Sequence, residues 1–138
     1  MIFIDTGAFV ARHVARDQHH GEAIKVWEQL GNSRERCLTS TFVVDEAVTL
    51  IGRRAGHRLA ADVGRRIYTS RALELLRSSS DDELRALTRF EKFHDQDVSF
   101  TDCVSFVLME RRKIRRAFAF DRHFQVAGFE TVPGPQPG

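Results

Sequence analysis

Two apolar runs of this chain each end in an aspartate. Met1-Ile2-Phe3-Ile4 stops at Asp5, and the run at 117–120 stops at Asp121. If both runs are parallel strands of one open sheet, their carboxyl ends meet at the edge where such folds bind ligands. Carboxylates that converge there would bind a hard divalent cation, because such ions prefer oxygen ligands.

Two further acids lie near the starts of helical stretches between these runs. Glu46 falls in the second turn of a helix predicted at 41–54, and Asp102 lies at the start of one predicted at 99–112. Asp45 adjoins Glu46 but is rotated about 100° around the helix axis. Glu46 borders the apolar face of that helix, so we expect it, rather than Asp45, to lie nearer the interior.

Each acid also has an ordinary structural interpretation. Asp5 and Asp121 could act as helix N-caps, and Ser99-Phe100-Thr101-Asp102 matches a capping box. An acid such as Glu46 in the first turns of a helix often only complements the helix dipole. A carboxylate directly after a buried strand is nevertheless costly unless it is paired or metal-bound. The recurrence of this pattern therefore favours a functional role.

The order of elements predicts the fold that positions these acids. Short strands are predicted at 2–4, 37–39, 73–76, 117–120 and 130–132. They alternate with helices predicted at 8–14, 22–30, 41–54, 57–69, about 81–94 and 99–112, and with a short turn at 122–127. Such alternation is typical of an α/β protein with right-handed crossovers. We expect a three-layer α/β/α sandwich with a short, mostly parallel central sheet.

Length and composition limit the class of protein. The 138 residues fit one domain, predicted at 1–132, and the proline-containing segment 133–138 is predicted to be a flexible tail. The hydrophobic fraction of 42% excludes wholesale disorder, and a net charge of +2 says little about partners. The two cysteines do not suggest a disulfide framework, and no apolar stretch is long enough to cross a bilayer. These features favour a reduced, cytoplasmic location without a membrane.

The order strand-Asp, helix-Glu, helix-Asp, strand-Asp resembles the PIN domain, and in particular the VapC-type toxins of bacterial toxin–antitoxin pairs. The segments that carry the resemblance are 2–8, Thr39-Ser40-Thr41 leading to Glu46, Ser99-Phe100-Thr101-Asp102-Cys103, Phe120-Asp121-Arg122-His123-Phe124 and Gly128-Phe129. Many family members have Thr-Asn-Asp at the last acid, whereas this chain has Ala119-Phe120-Asp121. The two positions before Asp121 therefore offer no polar side chain here.

The resemblance implies an endoribonuclease that hydrolyses RNA phosphodiester bonds with Mg²⁺ or Mn²⁺. Asp5 and Asp102 are then the first choice for direct metal ligands, while Glu46 and Asp121 bind directly, through water or at a second metal position. Thr6 would contact a phosphate oxygen or hold Asp5. The resemblance also implies a homodimer and an antitoxin whose amphipathic segment lies in an apolar groove, for which Phe9, Val26, Trp27 and Phe42 are candidates.

An acidic site needs basic groups around it if RNA is to bind. One basic run comprises Arg111, Arg112, Lys113, Arg115 and Arg116, and a second group comprises Arg53, Arg54, Arg58, Arg65 and Arg66. Either group could hold phosphates or form a solvated helix face. Arg122 and His123 are the better candidates for positioning substrate because they adjoin Asp121. The pair His19-His20 is expected to be an ordinary surface feature.

Other families also place an aspartate after the first strand. Phosphatases of the haloacid-dehalogenase type need a second aspartate two residues later, where this chain has Gly7. Receiver domains need a lysine after the last strand, and none follows the run at 117–120. A PIN-like module that binds RNA or a partner without cutting remains as an alternative, although the presence of all four acids favours activity. The RNA target is left open.

Overall fold

The computed structural model describes residues 1–135. Its five strands are β1 (Ile2–Ile4), β2 (Cys37–Ser40), β3 (Leu73–Leu76), β4 (Arg116–Phe118) and β5 (Glu130–Val132). They form one sheet in the order β3-β2-β1-β4-β5, and every neighbouring pair is parallel. The predicted α/β class is confirmed, and the sheet of the described chain is parallel throughout rather than mostly parallel.

Seven helices connect these strands within the described residues. They are α1 (Thr6–His13), α2 (His20–Gly31), α3 (Thr41–Ala55), α4 (His57–Thr69), α5 (Ser80–Lys92), α6 (Phe100–Arg111) and α7 (His123–Val126). Because parallel crossovers are right-handed, α1–α4 cover one face of the sheet and α5–α7 cover the other. Gly56 separates α3 from α4 with a φ of 97°, a conformation that favours glycine.

The strand order reverses between β1 and β4. From β1 the chain moves outwards to β2 and β3, then returns to the other side of β1 for β4 and β5. Connections that leave towards opposite faces open a crevice beyond the carboxyl ends of these two central strands. Asp5 directly follows β1 and lies at this crevice. Its backbone N–H donates to the carbonyl of Phe118 at 3.0 Å.

Large aromatic side chains fix the elements around the crevice. Phe3, Phe106, Phe118 and Phe124 are fully buried. The rings of Phe106 on α6 and Phe124 on α7 meet edge to face, with 5.1 Å between their centroids. Burial of each such ring contributes about 1.5–3 kcal/mol. This packing holds the α6 helix and the α7 turn against the sheet, and with them the segments that carry Asp102 and Asp121.

The fourth strand ends earlier than its apolar run predicts. The predicted strand at 117–120 is wrong at its end, because the paired ladder of β4 stops at Phe118. Ala119 still donates its N–H to the carbonyl of Val132 at 3.1 Å. The ring of Phe120 then packs edge to face against Phe118, at 5.8 Å between centroids. Asp121 therefore lies three residues beyond the strand rather than directly after it.

The sequence also led to predictions about membrane spans, the two cysteines and the C-terminal segment. No helix within residues 1–135 has the length and apolar character needed to cross a membrane. Cys37 and Cys103 are both free thiols. The division into a domain at 1–132 and a flexible tail at 133–138 stays a prediction, and residues 136–138 lie outside the described part of the chain.

Candidate active site

Asp5 occupies the N-cap position of α1 without capping it. Its side chain makes no capping hydrogen bond, and the residue is only 2% exposed. Its Oδ1 atom is buried and has no hydrogen-bond partner among the described residues. The competing interpretation of Asp5 as a helix cap therefore does not account for its side chain.

The charges around Asp5 show that all four predicted acids come together. The pKa of Asp5 is raised well above its ordinary value of 3.8, first because the carboxyl is buried. The negative charges of Asp121 and Asp102 raise it further, Glu46 adds a smaller contribution, and the backbone N–H of Thr6 opposes the rise in part. Burial and mutual repulsion thus leave the site with a carboxyl group that resists ionisation.

Asp102 combines a capping role with a place in the cluster. The hydroxyl of Ser99 accepts from the N–H of Asp102 at 3.0 Å, and Asp102 Oδ2 accepts from the N–H of Ser99 at 3.1 Å. The same Oδ2 lies 2.8 Å from Nδ1 of His123. Burial and the charge of Asp121 raise the pKa of Asp102, against the hydrogen bonds from Ser99 and His123. The capping interpretation of this motif is confirmed, and the same carboxylate also faces Asp121 and His123, so its functional role stays a prediction.

Asp121 and His123 lie on one tight turn at the mouth of the cluster. Asp121 Oδ1 accepts from the backbone N–H of His123 at 3.0 Å, and its side chain is 39% exposed. Potential metal-binding atoms of Asp102, Asp121 and His123 lie within 4.8 Å of one another. Sequence reasoning proposed His123 only for substrate positioning and missed this contact, although its spacing of two residues from Asp121 was a usable signal.

The other predicted site residues lie around the same crevice. The α3 helix starts at Ser40, whose hydroxyl caps it by accepting from the N–H of Val43 at 3.2 Å. On this helix Glu46 is partly buried, while its neighbour Asp45 is exposed. Thr6 is 4% exposed, and its hydroxyl oxygen has no hydrogen-bond partner among residues 1–135. Arg122 is exposed beside Asp121.

These atoms form a donor set suited to a divalent cation. Leaving a buried polar oxygen unpaired costs about 1–3 kcal/mol, and among residues 1–135 this applies to Asp5 Oδ1 and Thr6 Oγ1. A cation and its bound water would satisfy these oxygens and relieve the repulsion among the carboxylates. The oxygen-rich set of side chains in this crevice therefore fits a hard divalent cation such as Mg²⁺ or Mn²⁺.

Several arginines of the two predicted basic groups form structural ion pairs. Arg111, Arg112, Arg116 and Arg54 pair with Asp82, Glu74, Glu35 and Asp17 at 2.6–2.9 Å. The first group also precedes β4, so it lies at the amino end of the sheet, whereas the carboxylates lie beyond the carboxyl end. The structure therefore does not bring the basic run to the acidic cluster.

Comparison with known proteins places this architecture in a family. The model of the PIN domain family matches residues 2–130. The 23S rRNA-specific endonuclease VapC20 of two Mycobacterium tuberculosis strains is 35% identical over 132 residues, which cover 96% of this chain and 98% of VapC20.

Two solved structures share the fold. The crystal structure of Mycobacterium tuberculosis VapC20, described as a sarcin–ricin loop cleaving toxin, aligns with a TM-score of 0.86 and 32% identity over 94% of this chain and 96% of that one. FitAcB from Neisseria gonorrhoeae aligns with a TM-score of 0.60 and 13% identity over 95% of this chain and 96% of that one, a likeness of fold alone.

The fold and the acidic crevice define a PIN-domain nuclease, and the chain belongs to the PIN domain family. Within that family it is a homologue of the VapC20 toxins. The sequence-based prediction of a VapC-type endoribonuclease toxin is thereby confirmed.

We expect Asp5→Asn to stabilise the metal-free protein increasingly as the pH rises. Because folding raises the pKa of Asp5, its contribution to stability is complete below the unfolded value near 3.8 and is lost as the pH rises through the raised value. Urea denaturation in EDTA between about pH 5 and about pH 9 measures the difference in unfolding free energy between variant and wild type.

The matched control for this measurement is Asp45→Asn, which removes an exposed acid from α3. Its difference from wild type should stay nearly constant over the same pH range. A pH-independent difference for Asp5→Asn would contradict the assignment of Asp5 as the strained carboxyl group.

Proposed function

We propose that this protein cuts the sarcin–ricin loop of 23S rRNA by metal-dependent hydrolysis. The observation that carries the nuclease mechanism is the unpartnered Oδ1 of Asp5, buried at the switch point beside three other acids. The observation that supports this RNA target is the similarity to VapC20, which extends over 96% of the chain and includes a TM-score of 0.86.

The burial of the acids supports a division of roles among them. Asp5 and Asp102 are 2% and 5% exposed, and a cation would relieve the repulsion that raises both pKa values. We therefore assign them as the direct ligands of Mg²⁺ or Mn²⁺. Glu46 and Asp121 are assigned contacts through water or a second metal position. An imidazole such as that of His123 suits Mn²⁺ better than Mg²⁺, which keeps oxygen ligands.

The remaining side chains can hold the phosphate and move protons. When bound, the divalent cation supplies an activated water and neutralises charge on the phosphate that is attacked. Asp121, with 39% of its side chain exposed, is positioned to take a proton from that water and release it to solvent. The hydroxyl of Thr6 is available to hold a phosphate oxygen or the carboxylate of Asp5. The exposed guanidinium of Arg122 provides positive charge for the RNA backbone.

A groove at the other end of the sheet supports the proposal of an antitoxin. It encloses about 540 Å³ between an apolar floor and a cationic rim. The floor includes Phe9, Trp27, Leu30, Val63 and Ile67, and the rim includes Arg12, Arg34, Arg36 and Arg66. Cys37 and Leu73, which start β2 and β3, also line it. Val26 and Phe42 are not among the lining residues, since Val26 is buried in the core and the ring of Phe42 packs against Phe100.

The charge of this groove indicates the chemistry of its partner. The guanidinium of Arg12 lies 4.5 Å from the centre of the Trp27 ring, and the Phe9 ring is 5.5 Å from the same ring. Burial, together with the positive charges of Arg12 and Arg66, lowers the pKa of His13 to about 4. An amphipathic antitoxin segment with apolar and acidic side chains complements such a surface.

A second copy of the chain is proposed to pack on α5. Leu84, Leu87 and Phe90 recur every third residue of this helix and are 63%, 46% and 44% exposed. An apolar stripe of this kind is typical of an interface, and a symmetric dimer would pair it with itself. The Phe90 ring meets Phe100 edge to face, so the partner would lie beside the helix of Asp102.

The proposed ribosomal substrate implies that the protein acts in the cytoplasm.

The cleavage test uses a sarcin–ricin hairpin and a mixed RNA pool with Mg²⁺ or Mn²⁺. Asp5→Asn and Glu46→Gln should each lower the rate of cutting by about 10²- to 10⁴-fold, because each removes a charged carboxylate oxygen from the crevice. Asp45→Asn is the matched control for Glu46→Gln and should cut as wild type does.

Equal cutting by wild type and Asp5→Asn would contradict the mechanism. If RNA of the mixed pool is cut but the hairpin is not, the proposed RNA target is wrong and the nuclease mechanism stands. Binding of RNA without cutting by any metal-loaded form would favour the non-catalytic PIN-like module.

The groove test compares two adjacent arginines of α4. Arg66→Glu should weaken antitoxin binding about tenfold or more, because it places a like charge against the acidic segment. Arg65→Glu is the control, since Arg65 lies near Asp62 at 3.4 Å and does not line the groove. Calorimetric titration measures both affinities, and equal weakening by the two variants would contradict the proposed surface.

A further inference from the structure

A second groove adjoins the acidic crevice. It encloses about 610 Å³ between the start of α2 and the α7 turn, and His19, Phe120, Asp121 and Arg122 are among the residues that line it. The rings of His19 and Phe120 are stacked, with 4.4 Å between centroids and 7° between planes. A flat aromatic platform therefore lies directly beside one of the four carboxylates.

The Phe120 side of this platform is fixed against the end of β4 and the start of α1. Its ring packs edge to face on Phe118 at 5.8 Å. A Cβ atom on Gly7 would lie 3.9 Å from Cδ2 of Phe120, so the ring lies against the first turn of α1, next to Asp5 and Thr6. Where the family often has a polar residue, this chain places an aromatic ring over the entrance to the crevice.

The His19 side is held by an ion pair that reaches another helix. The backbone N–H of His19 donates to Asp17 Oδ1 at 2.8 Å. The other oxygen of Asp17 accepts from Arg54 of α3 at 2.6 Å. The loop before α2 is therefore anchored, and the imidazole ring is presented in one place rather than swinging in solvent.

The platform has the properties of a site for an unpaired base. Both rings are only partly buried, unlike the phenylalanines of the core, so the stack keeps accessible ring surface. Proteins recognise single-stranded RNA by stacking bases on Phe, Tyr, Trp or His and by placing arginine near the phosphates. Arg122 is exposed in the same groove, one residue from the acid at which the phosphate is cut.

We propose that the His19–Phe120 platform is a nucleobase subsite, which binds an unpaired base next to the scissile phosphate while Arg122 contacts the RNA backbone. The proposal rests on the proposed endoribonuclease function. It makes His19 and Phe120 determinants of where the RNA is cut, in addition to the four acids that perform the cutting.

The first test measures stacking without cleavage. The sarcin–ricin hairpin carries 2-aminopurine at each unpaired position in turn, since the fluorescence of this base falls when it stacks on an aromatic ring. It is titrated with Asp5→Asn protein, alone or combined with His19→Ala, His19→Phe or His57→Ala. His57→Ala is the matched control because His57 is an exposed histidine on α4, outside the groove.

Quenching is expected at one loop position with the Asp5→Asn parent, and His19→Phe and His57→Ala should retain it. His19→Ala should abolish the quenching and weaken binding about tenfold, the size of one base–aromatic stack. Binding of the hairpin without quenching at any position would overturn the proposal. So would equal loss with His19→Phe and His19→Ala.

The second test measures cleavage with otherwise wild-type protein. His19→Ala should raise KM for the hairpin about tenfold and leave kcat within about twofold, because stacking serves binding rather than chemistry. An abasic site at the quenched position should raise KM equally for wild type and add nothing to His19→Ala. If the abasic site and His19→Ala raise KM additively, the proposed subsite is wrong. It is also wrong if His19→Ala leaves KM for RNA unchanged while it weakens antitoxin binding.

The two proposals fail in distinguishable ways. If the hairpin is cut and Asp5→Asn abolishes cutting, but no base is quenched, the nuclease function stands and the subsite is wrong. If bases are quenched through His19 but no RNA is cut, the subsite stands on a non-catalytic protein.

Discussion

The acidic site is built around the carboxyl group of Asp5, which is buried and surrounded by like charges. This group lies at the end of a central strand, one of its oxygens has no partner among residues 1–135, and Asp121, Asp102 and Glu46 all repel its charge. Desolvation and repulsion both disfavour ionisation of this carboxyl group. Without a bound cation, the group avoids that cost only by keeping its proton. A divalent cation bound at Asp5 would relieve both at once, so the electrostatic cost of the metal-free site would add to the affinity for the metal.

The fold keeps this strained arrangement because other interactions determine where the acids lie. Asp5 follows β1, the central strand of the sheet, and its backbone is tied to β4 by the hydrogen bond to Phe118. Asp102 is held by the Ser99 capping box and by His123, while the Phe106–Phe124 contact fixes α6 against α7. The acidic site and the cationic groove occupy opposite ends of the strands, so a substitution in one need not disturb the other.

Sequence patterns predicted the α/β class and the four acids, because strand-ending aspartates and helix periodicity are local signals. By local pattern alone, the capping box of Ser79 with Asp82 is equivalent to that of Ser99 with Asp102, and it was the family resemblance that favoured Asp102. In the first, Asp82 is neutralised by Arg111 at 2.6 Å; in the second, Asp102 meets His123 and the other acids. That difference, the early end of β4 and the His19–Phe120 stack all depend on contacts between distant segments, which no local pattern contains.

We infer that the unpartnered oxygen of Asp5 is a metal ligand. A crystal of the wild-type protein soaked in Mn²⁺, with data collected at a wavelength that gives anomalous scattering from manganese, tests it most directly. We expect an anomalous peak about 2 Å from both Asp5 Oδ1 and a carboxylate oxygen of Asp102. A manganese peak bound only by Asp102, Asp121 and His123, with no bond to Asp5, would contradict this inference.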